Sequence, residues 1–138
     1  MLRKASERAT NIEWEVGDIG SWEPKQPAEL IFTNAALHWI EGHTDLFTRL
    51  MSSVAPGGVL AGQMPRNFGA LSHTSISEAA LSGPWRSKLE PLLRPAPGEP
   101  PPFYIDILSS MTSSLDVWET EFSQILSGEN PVKEWTKG

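Results

Sequence analysis

The sequence contains no cysteine, which excludes disulfides, thiolate metal ligands and a cysteine nucleophile. It has no apolar run approaching the length needed to span a bilayer. The opening MLRKASERAT lacks the apolar centre of a secretory signal, so a soluble, cytoplasmic setting is expected. Basic residues are few: 11 Lys and Arg stand against 17 Asp and Glu, a formal net charge of -6. No segment gathers them into a block, and phosphate backbones need concentrated positive charge, which excludes nucleic acid as a partner class. Three histidines are scattered through the chain, whereas a metal site needs three or four converging ligands, so no metal is expected. Nowhere does a G-x-G occur, nor the G-x-S-x-G of a nucleophile elbow, so Ser72 and His73 resemble hydrolase parts only superficially.

What is present is globular in balance, with 39% hydrophobic and 20% charged residues over 138 positions, enough for one domain. Six tryptophans (Trp14, Trp22, Trp39, Trp85, Trp118, Trp135) are many for this length. Such rings either pack cores and interfaces or wall pockets for flat ligands. Met1 to Ala9 reads as the end of a helix. Ile12, Trp14 and Val16 alternate with Glu13 and Glu15, the period of a strand with one buried face. Leu30-Ile31-Phe32 is continuous, as suits a central parallel strand covered on both faces. Leu46, Phe47, Leu50, Met51 and Val54 recur at helical spacing, predicting an amphipathic helix from His43 to Val54. Pro56-Gly57-Gly58 turns the chain into VLAGQM, a second buried strand. Strand, helix, turn and strand make a βαβ unit, a right-handed crossover in a parallel sheet.

Beyond Pro65 the periodicities predict short helices over Ser72–Leu81 and Trp85–Leu93, the second interrupted by Pro91. Arg94 to Pro102 is a stiff connector, and Phe103, Tyr104, Ile107 and Leu108 have helical spacing. Leu115 to Phe122, LDVWETEF, alternates as a strand. Asn130-Pro131 starts a helix that runs toward Gly138.

VGDIGSWEP, the stretch FTNAALHWIEGHTDLFTRLMSSVAPGGVLAGQMP, and DVWETEF followed by NPVKEW together resemble trans-aconitate 2-methyltransferases, members of the class I S-adenosylmethionine-dependent enzymes. The resemblance implies an α/β fold, part of the Rossmann-like class I methyltransferase architecture. It implies one partial domain: residues 1–65 from the later part of the cofactor-binding core, 66–114 as a substrate lid, and 115–138 as a late strand and the start of a helix. The family's glycine-rich cofactor loop and the acidic residue ending its second strand are expected to precede Met1, and its last strand to follow Gly138. In the family's sheet two strands separate the third from the fourth. The third strand here would therefore lose its neighbours, and the sheet is expected to be rearranged, completed by a partner chain in a homo-oligomer, or poorly formed.

The same resemblance implies roles for particular residues, each beside a plainer reading. Asp18 would accept a hydrogen bond from the adenine amino group, with Ile19 and Trp22 flanking the ring; aspartate is equally a turn residue. Asn34 lies at the carboxyl end of a central strand, where open α/β sheets bind ligands; the plainer reading is that it caps the turn. Ala35 and Ala36 are small enough for the cofactor to pass close to the backbone. His38 and Trp39 would face the reacting centre, or His38 is structural. Arg66 and Arg86, with Arg94 nearby, would grip substrate carboxylates in the fork geometry that suits guanidinium, or simply lie on the surface. Glu119 and Glu121 share one strand face, where solvated charge is the ordinary role. The implied activity is methyl transfer from S-adenosylmethionine to a carboxylate of a small polycarboxylic acid, with weak cofactor affinity and little activity expected of these residues alone. The alternatives are a non-catalytic binding or assembly module and a gene fragment with no selected activity.

Overall fold

The structure, a computed structural model, describes Glu7, residues 11–93 and residues 98–136. Strand β1 (Ala28–Asn34) leads through a 3₁₀ turn (Leu37–Trp39) into helix α1 (His43–Ser52), and strand β2 (Val54–Gln63) returns parallel to β1. This is the expected βαβ unit. Helix α1 forms because Leu46, Phe47 and Leu50 fall on one face and all three are buried. It ends at Ser53, whose hydroxyl and amide both bond back to the Arg49 carbonyl.

Paired residues of parallel strands share a face. Ile31 pairs with Leu60 on the face that meets α1, while Leu30 with Val59 and Phe32 with Ala61 occupy the other. The first face joins Leu37, Leu46, Phe47 and Leu50 in the core, together with Tyr104 and Leu108. Leu37 and Leu50 are the largest fully buried side chains, each worth about 2 kcal/mol of burial.

The expectation of a strand covered on both faces is corrected here. Leu30 is 59% exposed, Phe32 71% and Val59 54%, because no second layer lies on that face among the described residues. The register also shifts between Ala28 and Leu30, opposite Pro56-Gly57-Gly58. Gly57 is left-handed at φ 78°, and at Gly58 a side chain would meet the Glu29 carbonyl at 2.7 Å. The turn foreseen before β2 is thus a bulge within it.

Two expected strands do not form. Residues 12–16 and 115–122 have no ladder partner among the described residues, and Val16, Trp118 and Phe122 are largely exposed. A period of two states which face a strand would bury; it supplies no neighbouring strand to pair with. The remaining helices follow the sequence closely: α2 (Leu71–Ser82), α3 (Arg86–Leu89) with a 3₁₀ turn at Glu90–Leu92 around Pro91, α4 (Pro101–Leu108) and α5 (Pro131–Thr136). The helix expected over Met1–Ala9, all but Glu7, and residues 94–97 of the Arg94–Pro102 connector, Arg94 among them, fall outside the described residues. Among the described residues no helix is long and apolar enough to cross a membrane.

Candidate functional site

Two chain segments meet beside β1. The first is the loop after residue 16. Its turn is closed by Asp18, whose Oδ1 accepts from the Gly20 N–H at 2.9 Å and whose carbonyl accepts from the Ser21 N–H at 3.0 Å. Aspartate closes such turns because its short side chain reaches its own backbone two residues on. Oδ2 makes no hydrogen bond among the described residues. Ile19 and Trp22, both half-buried, pack against the core. They share an open groove of about 380 Å³ with Gly17, with Leu30 to Thr33 of β1, and with Leu37 and Leu50.

The second segment is the carboxyl end of β1. Asn34 is exposed there, Ala35 takes a left-handed φ of 50°, and its amide donates to the Gln63 carbonyl at 2.8 Å. That conformation costs a residue with a side chain about 1 kcal/mol, so the turn after β1 is held against its local preference. Ala36 follows half-buried, and the 3₁₀ turn then buries His38 to 5% exposure while leaving Trp39 at 66%. The His38 ring lies 4.6 Å from the Trp39 ring and 6.4 Å from Phe68. Its Nδ1 is buried with no hydrogen-bond partner, as is Thr33 Oγ1 one strand residue before Asn34. Burial first, and the neighbouring His43 second, hold the His38 imidazole below its usual pKa, so it is a neutral ring near neutral pH.

His43 has a different surrounding. Its Nε2 lies 3.1 Å from the Leu37 carbonyl, which can only accept, so Nε2 carries the proton. Nδ1 then accepts from the Tyr104 hydroxyl at 2.7 Å, and that oxygen accepts from the Glu99 amide at 2.9 Å. Every member of this buried chain is satisfied. Desolvation raises the Tyr104 pKa, against the opposing effect of the Glu99 amide. The chain ties α4 to α1 and to the turn that carries His38.

The arginines are engaged elsewhere. Arg66 pairs with Glu119 at 2.6 Å, and Arg86 with Glu90 at 2.9 Å one helical turn away, all of them well exposed. Neither arginine lines the groove beside β1. Glu119 is thus an ion-pair partner rather than half of a carboxylate pair with Glu121. Ser72 Oγ and His73 Nδ1 lie 3.1 Å apart as neighbours on α2. Among the described residues no group of three or more His, Asp and Glu side chains is placed to hold a metal ion.

Arg49, Thr33 and the hydroxyl of Tyr104 are features that the sequence does not announce. Arg49 stands at the polar margin of α1, yet its guanidinium reaches back to the carbonyls of Ile19, Gly20 and Trp22. Only the spacing of Arg49 between Leu46 and Leu50 hints that it borders the buried face.

No family model matches the chain. Among curated proteins, a trans-aconitate 2-methyltransferase of Rhizobium leguminosarum bv. trifolii is 40% identical over 139 aligned positions, all of this chain and 54% of that protein. One from Streptomyces avermitilis is 38% identical across 92% of this chain and 48% of its own length. One from Mycobacterium tuberculosis is 35% identical across all of this chain and 53% of its own length. The chain resembles the trans-aconitate 2-methyltransferases from end to end. It spans about half the length of the methyltransferases it matches. Resemblance to these class I methyltransferases implies a Rossmann-like fold, with which the α/β mixture and the two-stranded parallel sheet agree.

Proposed function

We propose that this chain forms part of an S-adenosylmethionine-dependent methyltransferase acting on a carboxylate of a small polycarboxylic acid such as trans-aconitate, in the cytoplasm. The observation that carries the reading is the whole-chain match to enzymes named for that reaction. In this reading residues 1–65 belong to the cofactor-binding core, 66–114 to the substrate lid and 115–138 to a late strand and helix.

The residues present fit the adenosine end of the cofactor. A groove of about 380 Å³ lies within the range of small-ligand sites. Ile19 and Trp22 of the groove offer apolar surface to a purine. Asp18 stands between the groove residues Gly17 and Ile19 without lining the groove itself, and it would turn Oδ2 to an exocyclic amino group. Asn34, with the small Ala35 and Ala36, borders the path of the methionine part at the end of β1. When bound, the cofactor supplies an electrophilic methyl group on a sulfonium. A substrate carboxylate is already ionised near neutral pH, so the chain need only bind and orient it. His38 and Trp39 would lie on the substrate side, Trp39 exposed and the buried, neutral His38 ring 4.6 Å from it. Arg66 and Arg86 would exchange Glu119 and Glu90 for substrate carboxylates. Exposed ion pairs are weak enough for that exchange.

Calorimetric titration with S-adenosylhomocysteine tests the reading. The expected result is millimolar affinity for the wild-type chain, reduced further in Asp18→Asn; heat identical to buffer dilution at saturating ligand would sink it.

A second reading rests on an observation of its own. The exposed Leu30, Phe32 and Val59 form an apolar sheet face, which suits an assembly module whose open face is covered by a second copy. Sedimentation velocity should then give a dimer that Phe32→Lys dissociates, and a monomer at all concentrations would exclude it.

A further inference from the structure

Three carbonyl groups of one exposed loop converge on a single side chain. Arg49 donates from Nη1 to the Trp22 carbonyl and from Nη2 to the Gly20 carbonyl at 2.7 Å and the Ile19 carbonyl at 3.2 Å. A loop so short has no ladder to satisfy its carbonyls, and a guanidinium, with five donors in a rigid plane, can serve several of them together. Lysine, a point charge on a flexible stem, could not hold the same three in one geometry.

What Arg49 leaves alone matters as much. It binds carbonyls within and just after the turn and not the Asp18 carboxylate, whose Oδ1 is held by the Gly20 amide. An ion pair would have occupied the acceptor and cancelled its charge. Gripping carbonyls instead fixes the direction of the carboxylate while Oδ2 stays available. Arg49 is itself anchored in α1, whose Leu46, Phe47 and Leu50 are buried, so the loop is referenced to a helix packed into the core.

We infer that Arg49 is a positioning residue for purine recognition: it holds the Asp18–Trp22 loop so that the carboxylate selects a 6-amino purine. The inference rests on the cofactor reading above and adds to it the residue that sets base preference. A merely structural role would weaken all ligands alike, whereas positioning of Asp18 governs the preference for an amino group over an oxo group.

The test uses the whole chain, titrated with S-adenosylhomocysteine and S-inosylhomocysteine and followed by amide and indole NMR shifts. The wild type should prefer the adenosyl ligand about tenfold, the effect of one hydrogen bond to a charged acceptor. In Arg49→Met that ratio should fall to about one, with faster exchange of the Gly20 and Ser21 amides, and Arg49→Lys should lie between. A ratio near tenfold in Arg49→Met overturns the inference while leaving the cofactor reading intact. Should Arg49→Met not fold, an undiminished ratio in folded Arg49→Lys overturns it. If the wild type binds neither ligand, or both equally, the cofactor reading itself fails at Asp18 and the inference fails with it.

Discussion

Replacing Tyr104 with phenylalanine removes a single oxygen from the core, and the structure shows what that oxygen does. Its hydroxyl donates to His43 Nδ1 at 2.7 Å and accepts from the Glu99 amide at 2.9 Å, in a side chain only 8% exposed. The ring remains in Tyr104→Phe, so its contacts with Phe47 at 4.9 Å and Phe103 at 5.3 Å survive and little apolar burial is lost. The Glu99 amide lies at the surface and can turn to water. His43 Nδ1 cannot, since His43 is 7% exposed and its other nitrogen is committed to Leu37. An unpaired buried acceptor costs about 1–3 kcal/mol, so the expected loss is about 2 kcal/mol. For a chain of this size that lowers the melting midpoint by about 8 °C. Urea unfolding followed by far-UV circular dichroism, with the slope unchanged, measures it. The double variant with His43→Phe should cost less than the sum of the two singles, because neither partner is then left alone. A loss below about 0.5 kcal/mol in Tyr104→Phe would show that the buried chain does not stabilise the packing of α4 against α1.

Stability should also depend on pH through His38. Its folded pKa lies below the ordinary value of 6.5 because burial, aided by His43, penalises the charged ring. The unfolded chain therefore takes up a proton first: the contribution is fully present above pH 6.5 and is lost as pH falls below it, toward and through the folded value. Melting midpoints measured from about pH 7.5 to 5.5 should fall more steeply in wild type than in His38→Gln; parallel curves would contradict this. In the bulge of β2, Gly58→Ala should cost about 2–3 kcal/mol by forcing a methyl group onto backbone. Gly57→Ala should cost about 1 kcal/mol, for the left-handed φ alone. The distances behind this order are 2.7 Å from Gly58 to the Glu29 carbonyl and nothing within 4 Å of Gly57, and denaturant midpoints in the reverse order would refute it. Arg66→Ala should leave the fold unchanged, as its partner Glu119 is exposed. In an enzyme containing this chain it should raise KM for the carboxylate substrate with kcat retained.

Helices and turns were legible in the sequence because their hydrogen bonds close within a few residues. Leu46, Phe47 and Leu50 declare the buried face of α1 by spacing alone, Pro91 interrupts the helix after Trp85, and Asn130-Pro131 opens α5. The resemblance to methyltransferases is likewise carried by local stretches around Asn34 and Pro56. Strands are different, since their backbone groups are satisfied only by another strand. Ile12, Trp14 and Val16 alternate as well as any strand does, yet they stay unpaired, and Phe32 belongs to a continuous apolar run but lies open. Partnering and coverage are properties of what folds beside a segment, so they cannot be read within it. The same holds for the grip of Arg49 on the Ile19–Trp22 carbonyls and of Tyr104 on His43, contacts between residues 27 to 61 positions apart. Tertiary packing alone brings those groups within hydrogen-bonding distance.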